Sequence, residues 1–133
     1  MTETASSQIT DITRDYMAVW SVPDPAARRA AIAALWAPDG VEFLDGVQFR
    51  GHDELDARVA RAYDAFFGSG KYTLTGGDDL TVHGDIAAFT VHLTEPGDEA
   101  GEAAWTARVF LLVGSDGQIQ EDYHVVIKPL PPA

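Results

Sequence analysis

From Ser7 onward the apolar positions Ile9, Ile12, Tyr16, Val19 and Trp20 recur at helical spacing, which predicts a first helix capped by Ser6 or Ser7 and ended by "SVPDP". Asp24 followed by Pro25 is a cap followed by a first-turn proline, so "AARRAAIAALW" continues as a second helix. Pro38 and the Asp39-Gly40 turn stop it, and it buries Ile32, Leu35 and Trp36. "VEFLDGVQFRG" is a short extended segment broken at Gly46. After it, "HDELDARVARAYDAFFG" places Leu55, Val59, Ala62 and Phe66 on one stripe of a third helix, with acids in its first turn and Gly68 at its close.

Beyond Lys71 the pattern changes to strand and turn. "KYTLTGGDDLTV", "DIAAFTVHLTE", "AAWTARVFLLV" and "QIQEDYHVVI" are β-rich, and Gly-Gly, His-Gly-Asp, Pro-Gly and Gly-Ser-Asp-Gly turns separate them. Such a succession implies an antiparallel meander. The ends, residues 1–6 and the proline-rich 128–133, read as tails, because proline cannot donate to a sheet ladder. Residues 1–133 therefore read as one α+β domain, three N-terminal helices covering one face of a curved antiparallel sheet and leaving a cone that can enclose a pocket.

Composition narrows the function classes. With 133 residues, 46% of them hydrophobic, the chain can bury roughly two thirds of its unfolded surface and needs no disulfide or structural metal. It has no cysteine, so zinc-thiolate sites and cysteine nucleophiles are excluded. A net charge of −12, with nine scattered Lys and Arg, argues against nucleic acid. "MTETASSQIT" lacks the basic and apolar regions of a signal peptide and no apolar run reaches membrane-span length, so the expectation is a soluble cytoplasmic protein with no membrane partner. His52, His83 and His92 show no metal-ligand spacing, the paired glycines lack the lysine and helix of a phosphate loop, and no G-x-S-x-G elbow occurs. No metal and no cofactor are expected.

The chemistry concentrates in "GQIQEDYHVV". On a strand Gln120, Asp122 and His124 would share one face, the acid and imidazole with Cα atoms about 7 Å apart. A hairpin closed over Ser115 and Asp116 would pair Gly114 with Gly117, setting Val109 opposite Asp122, Ala107 opposite His124 and Trp105 opposite Val126. The other face would carry Arg108 against Tyr123 with Glu121 diagonal, a surface ion pair or an oligomer contact in which Arg108 is structural.

Three stretches, "DPAARRAAIAALWAPDGVEF", "FRGHDEL" and "DGQIQEDYHVV", resemble the nuclear transport factor 2-like superfamily and within it the SnoaL-like polyketide cyclases, over nearly the whole chain. The resemblance implies a cone-shaped fold and cofactor-independent acid/base chemistry, such as cyclisation, isomerisation or dehydration, on a hydrophobic polyketide-like carbonyl compound. Where the SnoaL-like group commonly reads E-H-W-D-V-V, this chain reads E-D-Y-H-V-V, so acid and imidazole have exchanged places. His124 would be the base and Asp122 its partner. Tyr16, placed like the oxyanion-binding tyrosine of ketosteroid isomerase, would donate to an enolate. Trp20, Trp36, Phe43, Phe89, Trp105 and Val109 would wall the pocket. The ungapped register puts Leu44 where that isomerase has its base and Asp45 one step further, Val109 replaces its protonated aspartate, and Arg108-Val109-Phe110 lacks the Arg-x-Asp of the epoxide hydrolases. The other function class is a small-molecule-binding or dimerising module of the same fold. Apolar Phe110, Leu112, Tyr123 and Val125 on the outer face imply a homodimer through the sheet.

Overall fold

A computed structural model describes residues 2–131. The elements are α1 (Thr2–Val19), α2 (Pro25–Leu35), β1 (Trp36–Leu44), β2 (Val47–Arg50), α3 (Gly51–Ala62), a π-helical turn (Tyr63–Phe67), β3 (Thr73–Gly76), β4 (Thr81–His83), β5 (Ile86–Thr94), β6 (Trp105–Val113) and β7 (Ile119–Lys128). Helix α1 begins at Thr2, so Ser6 and Ser7 lie within it and do not cap it. Asp24 does cap α2, its carboxylate accepting from Ala27 N at 2.8 Å with Pro25 in the first turn. Lys128 closes β7, and of the tail only Pro129 to Pro131 are described.

Helix α2 stops at Leu35, one residue before the end of the stretch that its apolar pattern suggests. Ala37 precedes Pro38 and is driven out of the helical region, and Trp36 is already extended at φ −98°, ψ 145°. Trp36 thus opens β1 while remaining fully buried. Gly40 is needed in that strand, because a Cβ there would stand 3.0 Å from the carbonyl oxygens of Ala37 and Ile119.

The sheet order is β2-β1-β7-β6-β5-β3, with β4 also paired to β5. Neighbouring pairs are antiparallel except β1 and β7, which run parallel, so the sheet is mixed. Its concave face carries Phe89, Ala107, Val109, Leu111 and Ile119 against Tyr16, Ile32, Leu55 and Val59 of the helices, all nearly or fully buried. Each Val, Leu, Ile or Phe side chain among them contributes about 1.5–3 kcal/mol on leaving water.

The β6–β7 hairpin differs from the two-residue turn. Gly114 N donates to Gln118 O at 2.8 Å and Gly117 N to Gly114 O at 2.9 Å, with Gly117 at φ 81°, so Ser115 to Gly117 form the loop. A bulge then leaves Gln120 unpaired between Glu121, opposite Leu112, and Ile119, opposite Val113. Each irregularity moves the register by one residue, and together they preserve the faces. Val109 consequently faces His124, Leu111 faces Asp122 and Ala107 faces Val126. Gln120 leaves the inner face, where Ile119 takes its place. Arg108 lies opposite Val125 and bonds Asp79 Oδ2 at 2.7 Å and Thr90 Oγ1 at 3.0 Å, not Glu121.

Candidate active site

Strand β7 turns Asp122 and His124 inward, both buried among apolar side chains. Strand β1 runs beside it in parallel with Glu42 as the partner of Asp122, so a second carboxylate enters the same face. Helix α1 brings Tyr16 from across the layer, and α3 brings Arg58. These five side chains form one buried polar cluster.

His124 Nε2 is its centre. The Tyr16 hydroxyl oxygen lies 2.5 Å from it, Glu42 Oε2 3.0 Å and Asp122 Oδ1 3.1 Å. The second oxygen of Glu42 accepts from Arg58 Nε at 2.9 Å. Burial alone would lower the His124 pKa, but the charges of Asp122 and Glu42 outweigh it and hold the imidazolium above the usual histidine range. Burial raises the Glu42 pKa, a rise that nearby Asp122 reinforces and His124 and Arg58 oppose. Burial also pushes the Tyr16 pKa well up, with the Asp122 and Glu42 charges acting in the same direction, so the phenol stays neutral and remains a donor. Two carboxylates against a guanidinium and an imidazolium make a cluster that is neutral when His124 is charged.

Glu42, Asp122 and His124 also offer one ligand atom each within 4.8 Å of one another, a donor set that could hold a small cation. Arg58 and protonated His124 supply positive charge to the same carboxylates. His52, His83 and His92 do not join the set: His52 Nε2 bonds Trp36 O and His92 Nδ1 bonds Thr106 Oγ1, both at 2.9 Å, while His83 is exposed.

The cluster opens on a cavity of about 50 Å³, room for a few water molecules as it stands. Tyr16, His124 and Arg58 form its polar floor, and Trp20, Trp105, Phe66, Phe67, Leu74, Val91 and Leu93 are among its walls. Glu42 and Asp122 stand behind the floor and do not line the cavity. Of the expected walls, Trp20 and Trp105 line it. Trp36 and Phe89 pack one layer deeper, their rings 5.7 and 5.8 Å from that of Tyr16, and Val109 is core beneath His124. Phe43 is on the opposite face, stacked on Tyr123 at 4.8 Å, because the alternation that turns Glu42 in turns Phe43 out. Asp45 is exposed in the β1–β2 turn at φ 48° and does not line the cavity.

Sequence reasoning missed Glu42 and Arg58. Arg58 stands three residues after Leu55 and four before Ala62, on the stripe that α3 buries, and a charged residue there was a visible signal. Glu42 gave none by itself, since its place depends on β1 lying beside β7.

No protein-family model and no curated protein matches the chain. Solved structures do. A protein of Agrobacterium tumefaciens provisionally named an isomerase of the SnoaL-like family superposes with a TM-score of 0.77 at 20% identity over 90% of this chain and 97% of that one. One from Sinorhizobium meliloti provisionally named a polyketide cyclase gives 0.63 at 20% identity, covering 86% and 93%. An NTF2-like protein of unknown function from Exiguobacterium gives 0.64 at 15% identity, covering 89% and 99%. At these identities the likeness is one of fold.

Proposed function

From the premise that this chain has the fold of the nuclear transport factor 2-like superfamily, whose SnoaL-like members are among its structural neighbours, we propose that it is an acid/base enzyme acting on a hydrophobic carbonyl compound. One observation carries the reading: a buried imidazole lines an apolar cavity while its Nε2 sits against a neutral phenol and two buried carboxylates. Neutral His124 removes a proton from the carbon beside the carbonyl, and Asp122 and Glu42 stabilise the imidazolium that forms. Tyr16 donates to the enolate oxygen. Return of the proton to another carbon gives isomerisation, its delivery to a departing hydroxyl gives dehydration, and attack by the enolate carbon on a second carbonyl gives cyclisation. All three need only the proton carrier and donors already assembled.

Solvent deuterium uptake into a short aliphatic ketone, followed by NMR, tests this. We expect uptake catalysed by the wild type to fall by about 10² to 10⁴ in His124→Ala, the contribution of a positioned base. Equal rates in the two proteins would overturn the assignment. A second reading, a binding or dimerising module, is favoured by the outer sheet face, where Val125 and Ile127 are 52% and 61% exposed beside Tyr123. A homodimer through that face is compatible with either function, since the cavity lies on the other side.

A further inference from the structure

Arg58 does more in this geometry than neutralise Glu42. Its Nε is spent on Glu42 Oε1 at 2.9 Å, and that is its one hydrogen bond among the described residues. The guanidinium lies over Trp20 and Phe49, 5.0 and 5.5 Å from their ring centroids, and its side chain is 16% exposed, on the cavity floor. A guanidinium carries its donors in a rigid planar fork. Here one edge is fixed from behind and stacked from the sides, which leaves the N–H groups of the terminal nitrogens for whatever enters the cavity.

We propose that Arg58 anchors a carboxylate, and that the pocket takes short apolar oxo acids in preference to neutral ketones or esters. The fork matches a carboxylate with two parallel charge-assisted bonds, which a lone carbonyl cannot accept. Neither Glu42 nor Asp122 lines the cavity, since both stand behind Tyr16, His124 and Arg58. Apolar walls suit a short hydrocarbon chain, and the small volume disfavours a bulky phosphate. An acid held on Arg58 would keep its oxo group near Tyr16 and the C–H on the far side of that group near His124. The chain's net charge of −12 repels anions at long range, but a stacked, partly buried pair is screened far less than surface charges.

Titration calorimetry with 4-methyl-2-oxopentanoate and its methyl ester tests the proposal. We expect the wild type to bind the acid about tenfold to hundredfold more tightly than the ester, the difference made by hydrogen bonds to a charged group. Arg58→Met should abolish that preference and Arg58→Lys should keep part of it. Equal or tighter binding of the ester by the wild type overturns the proposal, as does failure of the acid to bind at millimolar concentration or an undiminished preference in Arg58→Met. The wild-type comparison decides even where the methionine variant does not fold. The inference rests on the pocket assigned above but not on its chemistry, so deuterium uptake at the carbon beside the oxo group is read in the same samples. An acid that binds through Arg58 without exchange counts against the acid/base reading alone. Exchange of the ester with no preference for the acid counts against Arg58 alone.

Discussion

Glu42 and Asp122 are partners across the parallel β1–β7 pair, and both place a carboxylate oxygen near His124 Nε2, at 3.0 and 3.1 Å. Two acids on adjacent strands and an imidazole two residues along one of them make a proton site whose charge depends on all three.

Removing either acid should move the pH profile. The acids raise the His124 pKa, so the base form and the activity that needs it emerge only as pH rises past the ordinary histidine value of about 6.5. Asp122→Asn should shift the acidic limb of kcat/KM to lower pH, and Glu42→Gln should shift it the same way. A limb that stays in place in both variants would mean that another group controls it.

The same shift has a stability consequence. A folded-state pKa above the unfolded value means that charged His124 contributes its full stabilisation below about pH 6.5 and loses it as pH rises through the folded pKa. The stability difference between wild type and His124→Gln, measured by urea unfolding, should therefore shrink as pH rises from 6 to 9. A constant difference would show that the imidazole is not charged by its neighbours.

Arg58→Met leaves the buried Glu42 carboxylate with only His124, which it shares with Asp122, and should cost about 3–5 kcal/mol, the usual penalty for one half of a buried pair. Adding Glu42→Gln removes the stranded charge and should restore much of that loss. Equal stability of the single and double variants would show that Arg58→Met strands no charge on Glu42.

Tyr16→Phe removes a hydroxyl that burial keeps neutral. Exchange should slow by about 10² to 10³, as for loss of one oxyanion donor, with substrate affinity nearly unchanged. An effect confined to KM would assign the phenol to substrate binding.

Val125→Glu tests the sheet face as an interface. The side chain is exposed, so the fold should survive while a dimer in sedimentation dissociates. An unchanged sedimentation coefficient would rule out this face.

The helical stripes of α1 and α3, the α2 cap and the strand-rich second half were legible from local pattern, because periodicity and capping are local. Trp36 was misplaced because the proline after Ala37 overrode an apolar helical spacing. Phe43 was assigned to the pocket as an aromatic wall, and the pairing of β1 with β7 turns Glu42 inward and Phe43 out. His124 and Asp122 were found because strand alternation survived two compensating register shifts, which also removed Gln120 from their face. Tyr16 came from resemblance, and the structure brings its hydroxyl to the imidazole nitrogen.

The central claim is that one imidazole, charged by two buried carboxylates, moves the proton at this floor. NMR titration of the His124 ring, read beside the pH dependence of solvent deuterium exchange, tests it most directly. We expect the ring to titrate with a midpoint above about 6.5, the exchange rate to rise with that same midpoint, and both to move down together in Asp122→Asn. A ring that titrates at or below the ordinary value, or exchange that ignores its midpoint, would contradict the claim.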